Sequence, residues 1–353
     1  MRLRVGVVGL GRSGMELHCD PLSKMEDQYE LVAVCDQSEK RLEIARQSFG
    51  VKTFTNYADL LSEPGIDLVV ICTPPNYHSS MAIQAMEAGK HVVVEKPMCL
   101  GVDEADKMIK CAKDRGVILT VFQNRRWDPD FETVKQAIQS GLIGDLFVIE
   151  ARVMSYGEEW TKYGVAEFRP SWRLEKKYGG GQLLDWGAHL IDHTLQIVQS
   201  RVIDVYCDLQ SRLWTEEVDD HFKCMIRFEN GVIAHVESSN NARLVLPRWY
   251  AIGSKGTLYG NGEWGRWEDI TIRTKVGYMD VTLKPSPKIA ATSGVKALDV
   301  NISNALRFYG NIREVIEGKA ELAIKPEEAR QTISVIEAAR KSSEMSQVVN
   351  LKS

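Results

Sequence analysis

Short, nearly continuous apolar runs alternate with longer amphipathic segments over residues 1–123. Runs of four to six residues without polar alternation are typical of parallel strands that are covered on both faces. The predicted strands are 5–8, 31–35, 68–72, 91–94 and 117–122. The predicted helices begin at Ser38, at Asn76 or Ser79, and at Asp103, and they end near Gly50, Gly89 and Gly116. Strict alternation of strand and helix predicts a doubly wound parallel α/β sheet.

From about residue 145 the pattern changes to consecutive strand-like runs that are separated mostly by turn residues. The runs are 146–153, 202–209, 221–228, 231–237, 248–252, 256–259 and 270–274. Asn230-Gly231 predicts a hairpin with a type I′ turn. Two helical patterns follow, at about 297–317 and 326–344. We expect an α+β domain with an open, mainly antiparallel sheet and flanking helices, so that the predicted domains are 1–123 and 124–353.

Composition and charge narrow the class of protein. The 353 residues are 44% hydrophobic, and a net charge of −4 provides no basic surface for nucleic acid or an anionic membrane. No apolar run approaches the ~20 residues that a membrane helix needs, and the N-terminus shows no signal-peptide pattern. The seven cysteines form no Cys-x-x-Cys pair, and several lie in apolar runs. This usage predicts a reducing, cytoplasmic location.

A glycine-rich turn follows the first predicted strand. Gly9, Gly11 and Gly14 form a G-x-G-x-x-G pattern before an amphipathic segment. Asp36 stands at the end of the next predicted strand, 22 residues after Gly14. In this context we expect the pattern to bind a dinucleotide, because Gly9 permits the tight turn, Gly11 lets the backbone approach a pyrophosphate and Gly14 permits close helix–strand packing. The N-terminus of the following helix favours the phosphates. The alternative is a glycine-rich strand–helix turn without a ligand.

The choice of cofactor depends on residues beside this turn. A carboxylate at Asp36 accepts hydrogen bonds from the ribose hydroxyls of NAD and repels the 2′-phosphate of NADP. Lys40 and Arg41 are close enough in sequence to neutralise a phosphate, although a solvated helix face is favoured for both. NAD is therefore favoured over NADP. Arg12 and Ser13, within the turn, are included among the predicted cofactor contacts.

Lys96 directly follows the predicted strand 91–94 and Glu95. Ligands of open α/β sheets bind outside the carboxyl ends of the strands, so Lys96 is placed to face a nicotinamide and a substrate. A lysine in a partly desolvated cleft can donate a proton or a hydrogen bond to an alcohol oxygen. The alternative is a surface lysine at a strand end.

A second group of polar residues follows the three glycines at 179–181. Asp185 and His189 are four residues apart on a predicted helix, which places both on one face, and Asp192 follows on the same stripe. A carboxylate beside an imidazole orients it and stabilises its charged form, as a general base for an alcohol requires. His193 is rotated away and is interpreted as structural. No third soft ligand is spaced to complete a zinc site, so no metal is predicted.

Two functions are compatible with these residues alone. One is an oxidoreductase that moves hydride between a nicotinamide and a hydroxyl-bearing carbon, with Lys96 and His189 handling the proton. The other is a dinucleotide-binding sensor that uses the same pocket without turnover. Only the first function needs a titratable pair beside the nicotinamide, and the sequence has one.

Four segments together resemble the Gfo/Idh/MocA oxidoreductases, a family that includes inositol dehydrogenases and glucose–fructose oxidoreductase. In chain order they are the glycine turn at 5–14, the strand end at 72–78, the strand and Glu-Lys-Pro turn at 89–97, and the segment 179–189. Residues 124–128, Asn-Arg-Arg-Trp-Asp, are similar to the scyllo-inositol dehydrogenase subset, which includes NADP users and partly offsets the inference from Asp36. The resemblance implies a Rossmann domain and a sheet domain that commonly joins a homodimer or homotetramer.

The resemblance also implies residue roles. The family's Lys-Asp-His set corresponds to Lys96, Asp185 and His189, with His189 as proton acceptor, Asp185 orienting it and Lys96 binding the substrate hydroxyl. Which of Lys96 and His189 takes the proton directly stays open. Cofactor contacts are implied at Thr73, Pro74, Asn76, His78, Glu95, Lys96, Gln123, Trp172 and Arg173.

The implied substrate is a cyclitol such as an inositol, a sugar or a related polyol. Candidate substrate residues in the second domain are Tyr156, Trp160, Tyr163, Arg169 and Trp172, whose aromatic members could stack on a sugar or pack the domain interface. Two alternatives exist within the family. An NAD-dependent glycosidase usually has a Gly-Gly-His element, which residues 179–181 lack, and the complete Lys-Asp-His set argues against a non-catalytic sugar sensor.

Overall fold

The computed structural model describes residues 2–157, 172–261, 271–276, 279–283 and 300–351. These residues form two compact units. The first contains residues 2–124 and 300–333, and the second contains the remaining described residues. The predicted domains, 1–123 for the dinucleotide and 124–353 for substrate and oligomerisation, divide the chain by function. They stay predictions.

The first unit is built on a six-stranded parallel sheet with the order β3-β2-β1-β4-β5-β6. The strands are β1 Leu3–Val8, β2 Tyr29–Cys35, β3 Lys52–Phe54, β4 Leu68–Ile71, β5 His91–Val94 and β6 Leu119–Val121. All side chains of β4 and β6 are buried, as expected for strands covered on both faces. The order reverses between β1 and β4, which is the switch point of the doubly wound fold. The predicted fold class is confirmed.

Two helices of this unit, Glu39–Phe49 and Val102–Arg115, end at glycines in the left-handed conformation. The helices of the unit are α1 Asp20–Ser23, α2 Glu39–Phe49, α3 Tyr57–Ser62, α4 His78–Glu87 and α5 Val102–Arg115, and a π-helical turn, Ser13–Cys19, precedes α1. Ser38 caps α2 by accepting from the Arg41 N–H, and Gly50 ends it in a left-handed conformation, as predicted. The predicted beginning of α4 was wrong, because a short 3₁₀ turn, Pro75–Tyr77, comes first.

The second unit is built on a nine-stranded sheet with the order β14-β13-β12-β11-β7-β10-β9-β8-β15. The strands are β7 Leu146–Met154, β8 Val202–Gln210, β9 His221–Phe228, β10 Ile233–Ser239, β11 Trp249–Gly253, β12 Gly256–Asn261, β13 Thr271–Val276, β14 Met279–Leu283 and β15 Val349–Asn350. Only β7 and β10 pair in parallel. The prediction of a mainly antiparallel sheet is confirmed.

The hairpin between β9 and β10 differs from its prediction. The Gly231 N–H donates to the Phe228 carbonyl, and Phe228 in turn donates to Val232, which encloses three loop residues. Gly231 has φ of +85°, whereas Asn230 does not have a positive φ. A type I′ turn needs positive φ at both central residues, so the loop is instead a three-residue connection with glycine in the left-handed position.

The remaining helices are α6 Pro129–Gln139, α7 Gln182–Asp185, α8 Gly187–Val198, α9 Val300–Ile316 and α10 Pro326–Met345. In packing terms α9 belongs with the first unit, because its Tyr309 is fully buried there and bonds to His18 and Tyr29. Within the described ranges, no helix is long and apolar enough to cross a membrane.

Candidate active site

The carboxyl ends of five neighbouring parallel strands form one edge of the first unit's sheet. Predicted cofactor residues of the first unit stand at this edge. Gly9 follows β1, Asp36 follows β2, Thr73 and Pro74 follow β4, Glu95 and Lys96 follow β5, and Gln123 follows β6. Since ligands of doubly wound sheets bind at this edge and at the switch point between β1 and β4, the topology brings these predicted residues together.

The three glycines of the turn have different surroundings. Gly9 has φ of +88°, and a Cβ there would lie 2.6 Å from the Cys72 carbonyl oxygen. A Cβ on Gly14 would lie 2.0 Å from the Gly9 carbonyl oxygen, so this position must remain a glycine for the helix to approach the strand. A Cβ on Gly11 would meet nothing within 4 Å. Gly11 therefore leaves open space beside the backbone, as a bound pyrophosphate requires.

Asp36 supports the glycine turn from the end of β2. Its Oδ2 accepts from the Leu10 N–H at 2.7 Å, and its Oδ1 accepts from the Ser38 N–H at 2.9 Å. Arg41 Nη1 also donates to Oδ2, at 3.2 Å. The expectation of a solvated helix face was wrong for Arg41, because this ion pair turns its side chain inward. A guanidinium thus accompanies the carboxylate at the position predicted to select between NAD and NADP.

Asn76 lies in the 3₁₀ turn that follows β4. Its Oδ1 is buried and has no hydrogen-bond partner among the described residues. An unsatisfied buried acceptor at the strand-end edge suits a ligand hydroxyl or amide. Together with the open space at Gly11, it shows that the residues present fit a bound dinucleotide.

Both ring nitrogens of His78 contact backbone carbonyl oxygens of the protein. Its two ring nitrogens lie 2.8 Å from the carbonyl oxygens of Pro97 and Thr73, and the ring is 1% exposed. The ring therefore bridges the loop after β4 to the turn that contains Lys96. Burial lowers the pKa of His78. Its predicted contact with the cofactor stays a prediction, whereas its contacts in the protein show that it supports the site.

Sequence reasoning missed His18 and Tyr309. His18 lies on the π-helical turn and contacts Glu95, and Tyr309 of α9 contacts His18. The one sequence signal for His18 is its place on the buried side of the segment after the glycine turn, where a polar residue needs a partner. Tyr309 has no such signal, because it is 291 residues from His18.

The second unit carries Asp185 and His189. Asp185 ends α7 and His189 lies in the first turn of α8. The backbone of Trp186, between the two helices, is helical with φ of −83° and ψ of −33°, so the helical spacing continues across the break. His189 is 5% exposed, and its ring centroid lies 5.7 Å from that of Trp186.

Arg173 is the neighbour of Asp185. Its Nε lies 3.6 Å from Asp185 Oδ2, and its guanidinium lies 4.5 Å from the centre of the Trp172 ring. Both charged side chains are largely buried. The Trp-Arg pair, which the family resemblance associates with the cofactor, thus places a positive charge beside the predicted orienting carboxylate.

The helix start that carries Asp185 is held by Asp219. Asp219 Oδ2 accepts from the Leu183 N–H at 2.7 Å, and its carbonyl accepts from the Gln182 N–H at 2.9 Å. Gly181, with φ of +102°, passes so close that a Cβ would lie 2.2 Å from Asp219 Oδ1. Burial raises the pKa of Asp219 to about 6.

Asp192 and His193 are both structural contacts of α8. Asp192 forms a two-point ion pair with Arg126, so it does not share the predicted role of Asp185. His193 Nε2 lies 3.0 Å from the Arg125 carbonyl oxygen, and its ring stacks on Phe131 at 4.1 Å. Burial lowers the pKa of His193 well below the ordinary value. The interpretation of His193 as structural agrees with these contacts.

The predicted substrate residues are only partly described. Tyr156 is 41% exposed, its hydroxyl accepts from Arg243 at 2.7 Å, and its ring meets Trp214 edge-on. Trp160, Tyr163 and Arg169 lie outside the described residues. In the described part of the chain, no group of three or more His, Cys, Asp or Glu side chains is arranged to hold a metal ion.

Comparison with known proteins identifies the family. Residues 3–123 match the oxidoreductase family with an NAD-binding Rossmann fold, and residues 131–259 match the GFO/IDH/MocA C-terminal domain. The myo-inositol 2-dehydrogenase of Thermotoga maritima is 31% identical over 73% of this chain and 75% of its own length. The chain belongs to the Gfo/Idh/MocA oxidoreductase family.

Two further relatives cover nearly the whole of this Gfo/Idh/MocA protein. The scyllo-inositol 2-dehydrogenase (NADP(+)) IolW of Bacillus subtilis is 27% identical over 99% of this chain and 96% of its own length. The crystal structure of an NAD-binding protein from Listeria innocua has a TM-score of 0.83 and 31% identity, and covers 99% of this chain and 97% of that one. The protein is thus an NAD(P)-dependent oxidoreductase of the Gfo/Idh/MocA family.

Proposed function

We propose that this protein interconverts a ring hydroxyl and the corresponding ketone of a cyclitol, with sugars and related polyols as the wider substrate class. The observation that carries the proposal is the position of Lys96, which stands at the same strand-end edge as the glycine turn. The two inositol dehydrogenases among the relatives support a cyclitol as the first substrate to test. When bound, the dinucleotide supplies the hydride acceptor for oxidation and the hydride donor for reduction.

The proposed residue roles are those that the family resemblance implies, and the charges of the side chains suit them. Lys96 is a hydrogen-bond donor to the substrate oxygen, and its positive charge favours loss of the hydroxyl proton. His189, when neutral, accepts that proton. Asp185 is an acceptor only, so it orients an imidazole N–H, and Arg173 neutralises part of its charge. The dinucleotide would be held by the glycine turn, Asp36 and the residues after β4 and β5.

The test is the absorbance of reduced nicotinamide in purified protein given NAD or NADP and a panel of inositols, aldoses and polyols at alkaline pH. We expect turnover with a cyclitol or sugar. Lys96→Ala and His189→Ala should each lower kcat by about 10²–10⁴-fold while dinucleotide binding survives. Lys107→Ala on the surface of α5 is the matched control for Lys96→Ala. Binding of dinucleotide without turnover on any substrate would instead favour a sensor or a glycosidase.

We also propose that the nine-stranded sheet joins copies of the chain in a homodimer or homotetramer. Residues that are partners on adjacent strands have side chains on the same face of a sheet. One such row contains large side chains, namely Tyr206, Met225, His235, Glu150, Tyr250 and Tyr259. Tyr206 and Tyr259 are 41% and 40% exposed in the isolated chain. Light scattering should give an oligomer mass that Tyr206→Lys reduces and Tyr77→Lys, in the first unit, does not. A monomeric wild-type protein would contradict this proposal.

The cytoplasmic location also stays a proposal. It is supported by the seven cysteines, all of which are free thiols, and five of which are buried. The direct measurement is recovery of the protein in the cytoplasmic fraction of its source cells.

A further inference from the structure

The guanidinium of Arg125 lies between an aromatic ring and a buried carboxylate of the second unit. Its Cζ lies 4.7 Å from the centre of the Trp186 ring, and Nη1 donates to Asp128 Oδ2 at 3.1 Å. The side chain of Arg125 is 16% exposed, Trp186 is 6% exposed and Asp128 is fully buried. A cation is attracted by the negative face of an indole ring, most strongly where water is excluded. Both neighbours therefore hold the guanidinium in place.

The same indole ring contacts His189, the predicted base. The two ring centroids lie 5.7 Å apart, and the ring planes are inclined by 59°. Aromatic rings at this separation are in packing contact, so the position of the indole limits the orientations that are open to the imidazole. Two direct contacts thus connect the Arg125 guanidinium to the His189 ring.

Trp186, His189 and His193 form a row along one side of the helical segment, because they are spaced three and four residues apart. Arg125 contacts both ends of this row. Its guanidinium lies over Trp186, and its carbonyl oxygen lies 3.0 Å from His193 Nε2. The His193 ring is itself fixed by stacking on Phe131 of α6. His189 is therefore the middle member of a row whose two outer members contact one residue.

The backbone at Trp186 is fixed independently of its ring. The Trp186 N–H donates to the Gln182 carbonyl at 2.9 Å, and the Trp186 carbonyl accepts from the His189 N–H at 3.0 Å. At the next position, Gly187, a Cβ would lie 3.1 Å from Phe222 Cζ, so the main chain passes close to β9. Since the backbone has little room to move, the orientation of the indole depends on the neighbours of its side chain.

Arg125 is not needed merely to attach its own segment to α8. The 3₁₀ turn Asn124–Trp127 is already attached by the two-point pair between Arg126 and Asp192. Burial of a second guanidinium removes it from water, which is costly unless the contacts that it makes compensate. The place of these contacts, on the ring beside His189, indicates a role at that ring.

We propose that Arg125 and Trp186 are positioning residues for His189: the guanidinium holds the indole, and the indole holds the imidazole. Neither residue transfers a proton. Together they keep the His189 ring in one orientation toward the substrate oxygen, and a small displacement of a reacting group costs much of the rate. The proposal rests on the proposed role of His189 as the base, although its first test needs no substrate.

The first test measures the contact between indole and imidazole by NMR of the protein labelled with ¹³C-histidine. All spectra are recorded at pH ~9, where a histidine of ordinary pKa is neutral. His189→Gln assigns the signal, and Trp186→Leu shows how far the ring current of the indole displaces it. Arg125→Met keeps a long apolar side chain without the cation and should remove most of this displacement, whereas Arg125→Lys should retain most of it. Full displacement in Arg125→Met, or none attributable to Trp186, would overturn the proposal.

The matched control is Lys135→Met. Lys135 Nζ lies 5.8 Å from the centre of the Phe131 ring, so this variant also removes a cation from an aromatic ring of the second unit. It leaves the contacts of Trp186 in place and should not change the His189 signal. Equal changes in Lys135→Met and Arg125→Met would show a general loosening of the unit and would contradict the proposal.

Replacement of Arg125 by methionine leaves the buried Asp128 carboxylate without this cation, which could prevent folding. In that case the double variant Arg125→Met/Asp128→Asn makes the same measurement, because its amide is uncharged. If Trp186→Leu does not fold, the signal position of free histidine takes its place as the reference. The same outcomes then support or overturn the proposal.

Kinetics separate this proposal from the proposed function. If His189→Ala abolishes turnover, Arg125→Met should lower kcat about tenfold or more and change KM less than about twofold, and Arg125→Lys should recover most of kcat. Trp186→Phe keeps an aromatic ring for the guanidinium and should retain more of kcat than Trp186→Leu; equal values would contradict the role of the ring. If His189→Ala retains turnover, the proposed base fails, and the NMR displacement alone decides on Arg125 and Trp186.

Discussion

Asp192, three residues after His189, forms a two-point ion pair with Arg126. Arg126 Nε donates to Asp192 Oδ2 at 2.8 Å, and Nη2 donates to Oδ1 at 2.6 Å. The side chains are 8% and 2% exposed. The pair ties α8, which carries His189, to the 3₁₀ turn Asn124–Trp127. The segment that resembles the scyllo-inositol dehydrogenases thus fixes the helix of the predicted base.

Removal of this pair should destabilise the second unit. Arg126→Met would leave the Asp192 carboxylate buried without its cation, and breaking a buried pair in this way costs about 3–5 kcal/mol. Unfolding in urea should therefore shift to clearly lower denaturant. The control is Arg2→Met, whose pair with Glu30 is 52% and 40% exposed and is expected to contribute about 0–1 kcal/mol. Similar small losses in both variants would contradict the prediction.

Substitutions at two glycines of the turn should affect dinucleotide binding and protein stability separately. Gly11→Ala places a methyl group in open space, so the fold should be unaffected, whereas affinity for NADH should fall about tenfold, roughly 1.4 kcal/mol. Gly14→Ala meets the Gly9 carbonyl and should cost about 1–3 kcal/mol of stability. Gly310→Ala on α9 also enters open space and should change neither NADH affinity nor, beyond about 1 kcal/mol, stability. Fluorescence titration and thermal unfolding give the two readouts.

The Asp36–Arg41 pair predicts opposite changes in cofactor preference. Asp36→Asn removes the negative charge that repels a 2′-phosphate, so the ratio of NAD to NADP affinity should fall. Arg41→Ala removes the adjacent cation and should weaken NADP more than NAD, by about tenfold or more if one charge-assisted hydrogen bond of about 1.5–3 kcal/mol is lost. Lys40→Ala is the control for loss of a nearby positive charge. A preference that neither substitution changes would exclude the pair from cofactor selection.

The first sheet could be predicted largely from local pattern. Buried parallel strands are continuous apolar runs, and β5 was predicted with its observed bounds, His91–Val94. The exception is β3, whose three residues Lys52–Phe54 are partly exposed and lack an apolar run. Long strands of the second sheet were equally visible, whereas β14 and the two-residue β15 were not predicted.

The site could be predicted where it depends on position along a strand, and could not where it depends on distant partners. Residues after β1, β2, β4 and β5 reach one edge by topology alone. The inward turn of Arg41 depends on the helix start at Ser38, which brings it to Asp36. No spacing relates His18 to Tyr309 or Arg126 to Asp192, because these pairs are 291 and 66 residues apart.

The raised pKa of Asp219 predicts how stability changes with pH. Burial raises this pKa from 3.8 to about 6, so the folded state favours the neutral carboxyl more than the unfolded state does. The resulting stability is present in full below about pH 4 and is lost as the pH rises through about 6. Each pKa unit corresponds to about 1.4 kcal/mol, so the loss is about 3 kcal/mol at most.

Asp219→Asn removes this dependence, because the amide stays neutral and can still accept from the Leu183 N–H. Relative to wild type, the variant should gain free energy of unfolding between pH 4 and pH 7, on the order of 2 kcal/mol. The measurement is urea unfolding at several pH values in that window. Asp208→Asn on the exposed face of β8 should give no such gain. Parallel stability curves for wild type and Asp219→Asn would show that folding does not raise the pKa of Asp219 and would contradict the prediction.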